Sequence, residues 1–229
     1  MTGRVVSLVP SVTESLLAWG VVPVACTRFC EQPSILAVGG TKNPEIADIV
    51  GLAPDLVVVN DEENRREDAD ALAAAGLAVH SCSPRSVADV APALEALAAA
   101  VGVDAVVEPA DEPLAPLGLS AFIPIWRRPW MTFAADTYGS SLLESIGVRN
   151  AFGDSEERYP TVELADVLDR GTDVVLAPTE PYAFKPFHLD AFRPVAPVVE
   201  VDGQDLFWWG VRTPAARRRL HTAIAAALA

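Results

Sequence analysis

Cysteine is scarce in this 229-residue chain: Cys26, Cys30 and Cys82, with no CxxC among them. An odd, scattered set excludes a disulfide framework and fits a reducing compartment. Histidine is equally scarce, with three residues and no HxxxH, so an imidazole-rich metal cage is excluded. Positive charge is short as well. Lys and Arg number 17 against 31 Asp and Glu, a net charge of −14, which argues against nucleic acid and anionic membranes as partners. No apolar run approaches the roughly 20 residues needed to span a bilayer, so no membrane insertion is expected. A secretory signal pattern is missing too: the apolar residues 5–9 after Arg4 are broken at once by Pro10, Ser11, Thr13 and Glu14. The expected location is cytoplasmic. There is no P-loop, no GxGxxG and no GxSxG; Gly39-Gly40 before Thr41-Lys42 lacks the Walker spacing and reads as a turn.

What is present is ample apolar material, 51% of residues, and an internal repeat. ADIVGLAPDLVVVN, from Ala47 to Asn60, matches ADVLDRGTDVVLAP, from Ala165 to Pro178, without a gap. Each reads as a short helix, a turn and a strand with a continuous apolar run, the pattern of parallel sheets covered on both faces. A further helix and strand follow in each half, at 66–75 and 78–82, then at 186–192 and 197–201. Upstream, a strand at 5–9 leads into a helix at 12–20, with Ser11 as N-cap and Glu14 completing a capping box. The expected counterparts are a strand at 131–135 and a helix at 140–146. Residues 86–102 have helical apolar spacing (Val90, Leu94, Leu97, Val101) and are long enough, at 1.5 Å per residue, to cover about 25 Å. The expected fold is α/β. Two similar lobes with mainly parallel sheets, residues 1–85 and 119–229, are joined by a linker helix and an acidic, proline-rich loop at 86–118, with a last helix from Pro214. The ligand is expected in a cleft between the lobes, at the carboxyl ends of the strands.

The segments VSLVPSVTE, TRFCEQP, GGTKNPEIADIVGLAPDLVV and EENRRED resemble the N-terminal lobe of class III substrate-binding proteins, the vitamin B12- and ferric-siderophore-binding group. PIWRRPWMT, DTYGSSLLESIGVRNAF, RYPTVELADVL, PTEPYAF and VDGQDLFWWGVRTP continue the resemblance. The chain is similar to a branch called helical-backbone metal receptors, often encoded without a signal peptide. The resemblance implies a binding protein of the ABC-transporter type, with a metal chelate, siderophore or corrinoid as ligand. Three positions depart from the family pattern. B12-binding members carry tryptophans where this chain has Gly39 and Asn60. Transporter-docking members carry a surface glutamate on each lobe; Glu45 matches the first, but Ala165, flanked by Glu163 and Asp166, stands at the second. The resemblance therefore does not carry permease docking across.

Candidate ligand contacts are aromatics and loop cations. Aromatic faces suit flat conjugated ligands, and loop arginines offer forked donors to carboxylate or phosphate. The candidates are Arg28, Phe29, Lys42 and Glu62 in the first half. In the second they are Trp126, Arg127, Trp130, Asp136, Tyr138, Arg158, Tyr159, Glu180, Tyr182, Trp208, Trp209 and Arg212. Adjacent Trp208 and Trp209 point to opposite faces if extended, one buried and one towards the ligand. Cys30 and His188 are candidate metal ligands, and Arg28 beside Cys30 is a candidate cause of a lowered thiol pKa. The expected function is binding of a metal chelate, siderophore-like or other anionic aromatic ligand. The alternatives are a cytoplasmic corrinoid binder and a metal- or thiol-dependent enzyme on the same scaffold; no catalytic set is assigned, and the only partner expected is a small molecule.

Overall fold

The continuous apolar runs are parallel strands in the computed structural model, which describes residues 3–110 and 112–228. The chain divides into two compact units. One takes the chain up to Pro84, Asp89–Glu108 and Trp209–Val211; the other takes Arg85–Ala88, Pro109–Trp208 and the chain from Arg212 on.

The first half of the chain contains β1 (Val5–Ser7), α1 (Pro10–Ala18), β2 (Ala25–Cys26), β3 (Leu36–Ala37), β4 (Gly39–Gly40), β5 (Asn43–Pro44), α2 (Ile46–Gly51), β6 (Leu56–Val59), α3 (Arg66–Ala74), β7 (Val79–Ser81) and α4 (Val87–Val101). The main sheet runs β3-β2-β1-β6-β7, every pair parallel, and β4 and β5 form a small antiparallel hairpin. Val6, Leu8, Ala25, Ile49, Val57 and Leu72 close the core between sheet and helices. Apolar side chains leave water on both faces of β1 and β6, so neither strand alternates polar and apolar residues. Helix α1 begins earlier than expected. Pro10 occupies its first turn, where a fixed φ and a missing N–H cost nothing, and Val9 is the N-cap residue. Ser11 therefore lies inside the helix, and its buried hydroxyl has no hydrogen-bond partner. The apolar stripe of α4 (Val90, Leu94, Leu97, Val101) is buried as its spacing predicts. Trp209–Val211 returns to this unit. Val211 N–H donates to Ser15 Oγ (3.3 Å), and Gly210, at φ +133°, passes where a Cβ would lie 2.5 Å from that oxygen.

The second half contains β8 (Leu119–Phe122), β9 (Trp130–Met131), α5 (Tyr138–Glu144), β10 (Val148–Asn150), β11 (Thr161–Val162), α6 (Leu164–Asp169), β12 (Val174–Pro178), α7 (Pro186–Leu189), β13 (Val198–Val201), α8 (Gly203–Phe207) and α9 (Thr213–Leu228). Its parallel sheet runs β10-β8-β12-β13, and β9 pairs antiparallel with β11. The sequence repeat is structural: α2 and β6 correspond to α6 and β12 with the same bounds at their starts, as the gapless alignment of Ala47 with Ala165 requires.

The expected strand at 131–135 is corrected. The counterpart of β1 is β8, because β8 lies beside β12 as β1 lies beside β6. Thr132, Phe133 and Ala134 are buried, which is what their apolar pattern recorded. Their backbone, however, bonds to Pro160 and Arg158 instead of to the main sheet. Where the first half passes from β1 to α1 almost directly, the second inserts residues 123–137 between β8 and α5. No helix among the described residues is long and apolar enough to cross a membrane.

Candidate functional site

The insertion after β8 leaves the carboxyl end of the sheet, the edge where open α/β sheets bind ligands. Its tip is a tight turn. Ile125 N–H donates to Met131 O (2.9 Å) and Met131 N–H to Trp126 O (3.2 Å), with Arg128 at φ +70° before a cis bond to Pro129. Thr132 Oγ1 anchors the returning arm to Ile123 O (2.7 Å), and β11 pins it through Val162 opposite Trp130. The turn thus holds Trp126 and Trp130 on the two arms of one hairpin.

A second loop, residues 179–185, leaves the carboxyl end of β12 and brings its own rings to the first. Trp126 meets Tyr182 edge-on with centroids 5.1 Å apart, Tyr182 meets Phe184 at 4.8 Å, and Phe184 stacks on Trp130 at 5.9 Å and 24°. Trp130 rests on the buried Phe192 (4.6 Å), which packs on Phe122 in the core (5.2 Å). The run therefore has a rigid floor and an open top: Phe192 is 0% exposed and Trp126 46%. Cations border it. The Arg127 guanidinium lies 5.8 Å from the Trp130 ring centre, and Lys185 is exposed at the loop's end. His188 sits beneath, with Phe187 at 4.3 Å and Tyr182 at 5.9 Å. Burial, reinforced by the charges of Arg127, Lys185 and Arg128, holds its imidazole below the usual pKa and so neutral. Its Nδ1 accepts the Lys185 N–H (3.2 Å), which places the ring proton on Nε2.

Other candidates in this unit have internal partners. Asp136 accepts from Arg158 (2.6 Å) and Arg85 (3.0 Å) on one oxygen; the Arg158 bond, then the charge of both arginines, holds its carboxyl below the ordinary value. Tyr159, beside Arg158, is 40% exposed. Glu180 accepts the Trp208 indole N–H (2.7 Å). Gly203 makes that approach feasible, since a Cβ there would lie 2.5 Å from Glu180 Cγ. Arg212 covers the Trp208 ring (5.0 Å) and bonds to the buried Asp205 (3.2 Å), which Arg219 also holds. Arg212 is therefore part of the scaffold around α8 and α9. Tyr138 is corrected from a ligand contact to a core residue: it is 4% exposed, and its hydroxyl pairs with Thr213 Oγ1 (2.9 Å). Trp209 is corrected likewise, at 3% exposed and within the first unit, while Trp208 stays half-buried, as alternation of the two rings predicts.

In the first unit the candidates also gather at the carboxyl edge of the sheet. Arg28 and Phe29 belong to a 3-10 turn after β2; the guanidinium stacks on the Phe29 ring at 4.8 Å, and Phe29 is 49% exposed. Lys42 Nζ, on the β4–β5 hairpin, donates to Glu62 O (2.5 Å). Two buried asparagines set these loops. Asn60 Oδ1 accepts from Glu62 N–H (2.7 Å) and Glu63 N–H (3.2 Å), and its Nδ2 donates to Cys82 O (2.8 Å). Asn64 Nδ2 donates to Leu8 O and Thr41 O, tying hairpin to strand. Gly39 has φ +86°, and a Cβ there would lie 2.6 Å from Asn43 O. The backbone at 39 thus excludes any aromatic side chain, and Asn60 is committed to the loop.

The two metal candidates do not meet a ligand set. Cys30 and His188 lie in different units, and no group of three or more metal-ligating side chains occurs among the described residues. Cys30 is buried against Thr13 Oγ1 (3.2 Å) and Thr27 Oγ1 (3.3 Å). Arg28 is not what lowers its pKa. The neighbouring Cys26 thiol lowers it most, burial opposes this, and the hydroxyls of Thr13 and Thr27 add to the lowering; the result is about 6. Sequence reasoning missed Phe187, Phe192 and Arg85 as site components. The alternation of rings in PYAFKPF marks Phe187, whereas nothing local marks Arg85 as a partner for Asp136.

No protein-family model matches the chain. A vitamin B12-binding protein from Salmonella choleraesuis (strain SC-B67) is 25% identical over 189 residues, covering 76% of this chain and 71% of the relative. A periplasmic heme-binding protein, BhuT, in complex with two hemes superposes with a TM-score of 0.78 at 19% identity, covering all of both chains. The siderophore-binding protein FhuD of Vibrio cholerae, bound to Fe3+-Desferal, superposes at 0.76 with 14% identity over 99% of each. Parallel sheets in this strand order, aligned end to end with such structures, give this chain the fold of the class III periplasmic binding proteins.

Proposed function

We propose that this chain is a small-molecule-binding protein that takes a flat, anionic metal chelate against the aromatic face of its second unit. The observation that carries the reading is the run Trp126–Tyr182–Phe184–Trp130, floored by Phe192 and bordered by Arg127 and Lys185. Rings arranged on a fixed floor stack on a conjugated ligand with little ordering cost, and the cations offset its negative charge in a protein of net charge −14. The relatives support the class: they are a vitamin B12-binding protein, a heme-binding protein and a siderophore-binding protein bound to Fe3+-Desferal. A corrinoid is the second reading. It is disfavoured by Gly39, whose backbone excludes a ring, and by Asn60, whose side chain is committed to the loop that follows it.

Binding, not transport, is the role this reading assigns. Glu45 is exposed at the start of α2, but Glu163 and Asp166 cap α6 reciprocally, so the pair of free docking carboxylates is incomplete. Three free thiols support a reducing compartment, in keeping with a cytoplasmic protein.

The test is titration of tryptophan fluorescence with haem, a ferric catecholate, a ferric hydroxamate, cobinamide and cobalamin. Saturable quenching by a chelate, weakened about tenfold by Trp126→Ala, is the expected result. Quenching by the corrinoids alone would move the assignment to the second reading. No saturable response to any of the five would overturn both.

A further inference from the structure

Two of the four rings of the aromatic face, Tyr182 and Phe184, are carried by a loop with few bonds of its own. Among the described residues, 181–184 make no hydrogen bond, through backbone or side chain. A segment so placed keeps one shape only if its ends are tied. The far end is tied by Lys185 N–H to His188 Nδ1 (3.2 Å). The near end is tied where the loop leaves β12. Thr179 N–H donates to Val201 O (3.1 Å), and Thr179 Oγ1 accepts from Gly203 N–H (2.9 Å). Glu180 is the last residue before the rings with a hydrogen bond, and its carboxylate accepts the Trp208 indole N–H at 2.7 Å. Trp208 is itself held. It follows α8, with its backbone N–H on Gln204 O (2.9 Å), and the Arg212 guanidinium lies over its ring at 5.0 Å. Arg212 bonds in turn to Asp205 (3.2 Å) and Gln204 Oε1 (3.3 Å) on α8. Asp205 is 2% exposed, and Arg219 of α9 holds both its oxygens, at 2.6 and 2.5 Å.

We infer that Trp208 is a positioning residue for the aromatic face: through its indole N–H to Glu180 it fixes the loop that presents Tyr182 and Phe184, without touching the ligand. Three side chains that the sequence offers as ligand contacts, Glu180, Trp208 and Arg212, thus form a strut from the buried Asp205 to the loop. Each joint suits its task. A carboxylate that accepts an N–H makes a charge-assisted bond, about twice as strong as a neutral one. An indole has one donor in a fixed direction, so the bond sets the angle of the carboxylate as well as its distance. The guanidinium over the ring holds the indole plane. Asp205 is out of water, so releasing its arginines would leave a buried charge short of partners, which is strongly disfavoured. The strut therefore resists motion from its buried end. A loop already in its bound shape spares the ligand the cost of ordering it. The consequence for binding rests on the role proposed above for this face; the mechanical part rests on the loop alone.

The experiment is limited chymotrypsin digestion of the native, intact protein, with cleavage after Tyr182 and Phe184 followed by mass spectrometry, beside haem titration of the same variants. Cleavage needs the loop to leave its folded shape, so its rate reports local opening. Trp208→Phe keeps a ring beneath Arg212 and removes the donor. Glu180→Met keeps the length of the side chain and removes the acceptor. Both are expected to speed cleavage after Tyr182 and Phe184 about tenfold and to weaken haem binding by a similar factor, while the thermal midpoint changes little. Glu180→Gln, which retains an acceptor oxygen, is expected to restore slow cleavage. Parent-like cleavage in Trp208→Phe and Glu180→Met would overturn the inference, as would Glu180→Gln behaving like Glu180→Met. Faster cleavage at every chymotryptic site, in step with a fallen midpoint, would also overturn it, because the bond would then support the whole unit and not the loop. Weaker haem binding by Trp208→Phe with cleavage at the parent rate would make Trp208 a direct ligand contact instead. A parent protein that binds no haem counts against the role proposed for the face, and the cleavage rates then decide the strut by themselves.

Discussion

Replacing Asn60 by alanine is expected to destabilise the first unit by about 3 kcal/mol. Asn60 is 4% exposed, so its side chain exchanges no hydrogen bonds with water in the folded state. Three bonds depend on it: two accepted from the Glu62 and Glu63 amides and one donated to Cys82 O. Each is worth about 1 kcal/mol net, and the Cys82 carbonyl left without this donor sits at the upper end of that range. For a chain of this size each kcal/mol moves the melting temperature by about 2–4 °C, so the shift is about 6–12 °C. The assay is thermal unfolding followed by circular dichroism, with urea titration to check that the slope is unchanged. Asn64→Ala is the companion variant. It removes the donor to Leu8 O and Thr41 O and the acceptor of the Asn60 amide, so the two losses share a network and are expected to combine to less than their sum. A loss below about 1 kcal/mol for Asn60→Ala would refute the view that this side chain organises the loop.

His188 is held neutral in the fold, so its folded pKa lies below its unfolded value of about 6.5. Protonation then favours the unfolded chain. Stability is complete above that unfolded value and falls as the pH drops through it towards the folded pKa; His188→Asn, which keeps an acceptor for the Lys185 amide, is expected to flatten this acid limb in urea titrations between pH 7 and 5. Phe192→Ala removes the floor beneath Trp130 and is expected to cost about 3–5 kcal/mol, with a red shift in tryptophan emission as water reaches the ring. Gly203→Ala places a methyl group 2.5 Å from Glu180 Cγ; a cost of about 1–3 kcal/mol and exchange of the Trp208 indole proton, seen by NMR, are expected as Glu180 withdraws.

Much of the fold is legible in the chain because buried parallel strands have continuous apolar runs and the chain repeats them. The runs of β6 and β12 and the helices before them needed no tertiary information. Strand β8 is harder. Its four residues, LSAF, include a serine whose hydroxyl finds its partner in Arg149, outside the segment (2.7 Å). The apolar 131–135 segment is the stronger local signal, yet burial alone does not say which backbone a segment bonds to. At the start of α1, Pro10 and Ser11 both favour helix starts, and the proline prevails because its ring sets φ, leaving the serine hydroxyl unused. At the site, the enrichment in aromatics is visible in the sequence. The pairing of Trp126 with Tyr182, far apart along the chain, and the commitment of Tyr138 and Trp209 to the interior depend on packing that only the folded chain fixes.

The insertion between β8 and α5 has a consequence for how such a protein changes its ligand. Two copies of one plan sit in the same chain, and only the second is interrupted at this junction. The rings at its tip contribute to neither main sheet, and the strands that flank it are complete without them. Substitutions at Trp126, Arg127 or the facing residues 182–185 can therefore accumulate at little cost to foldability. The duplicated scaffold provides robustness, and the one elaborated junction provides evolvability: under the proposed binding role, recognition can drift from one ligand chemistry to another while the sheets that position it stay as they are.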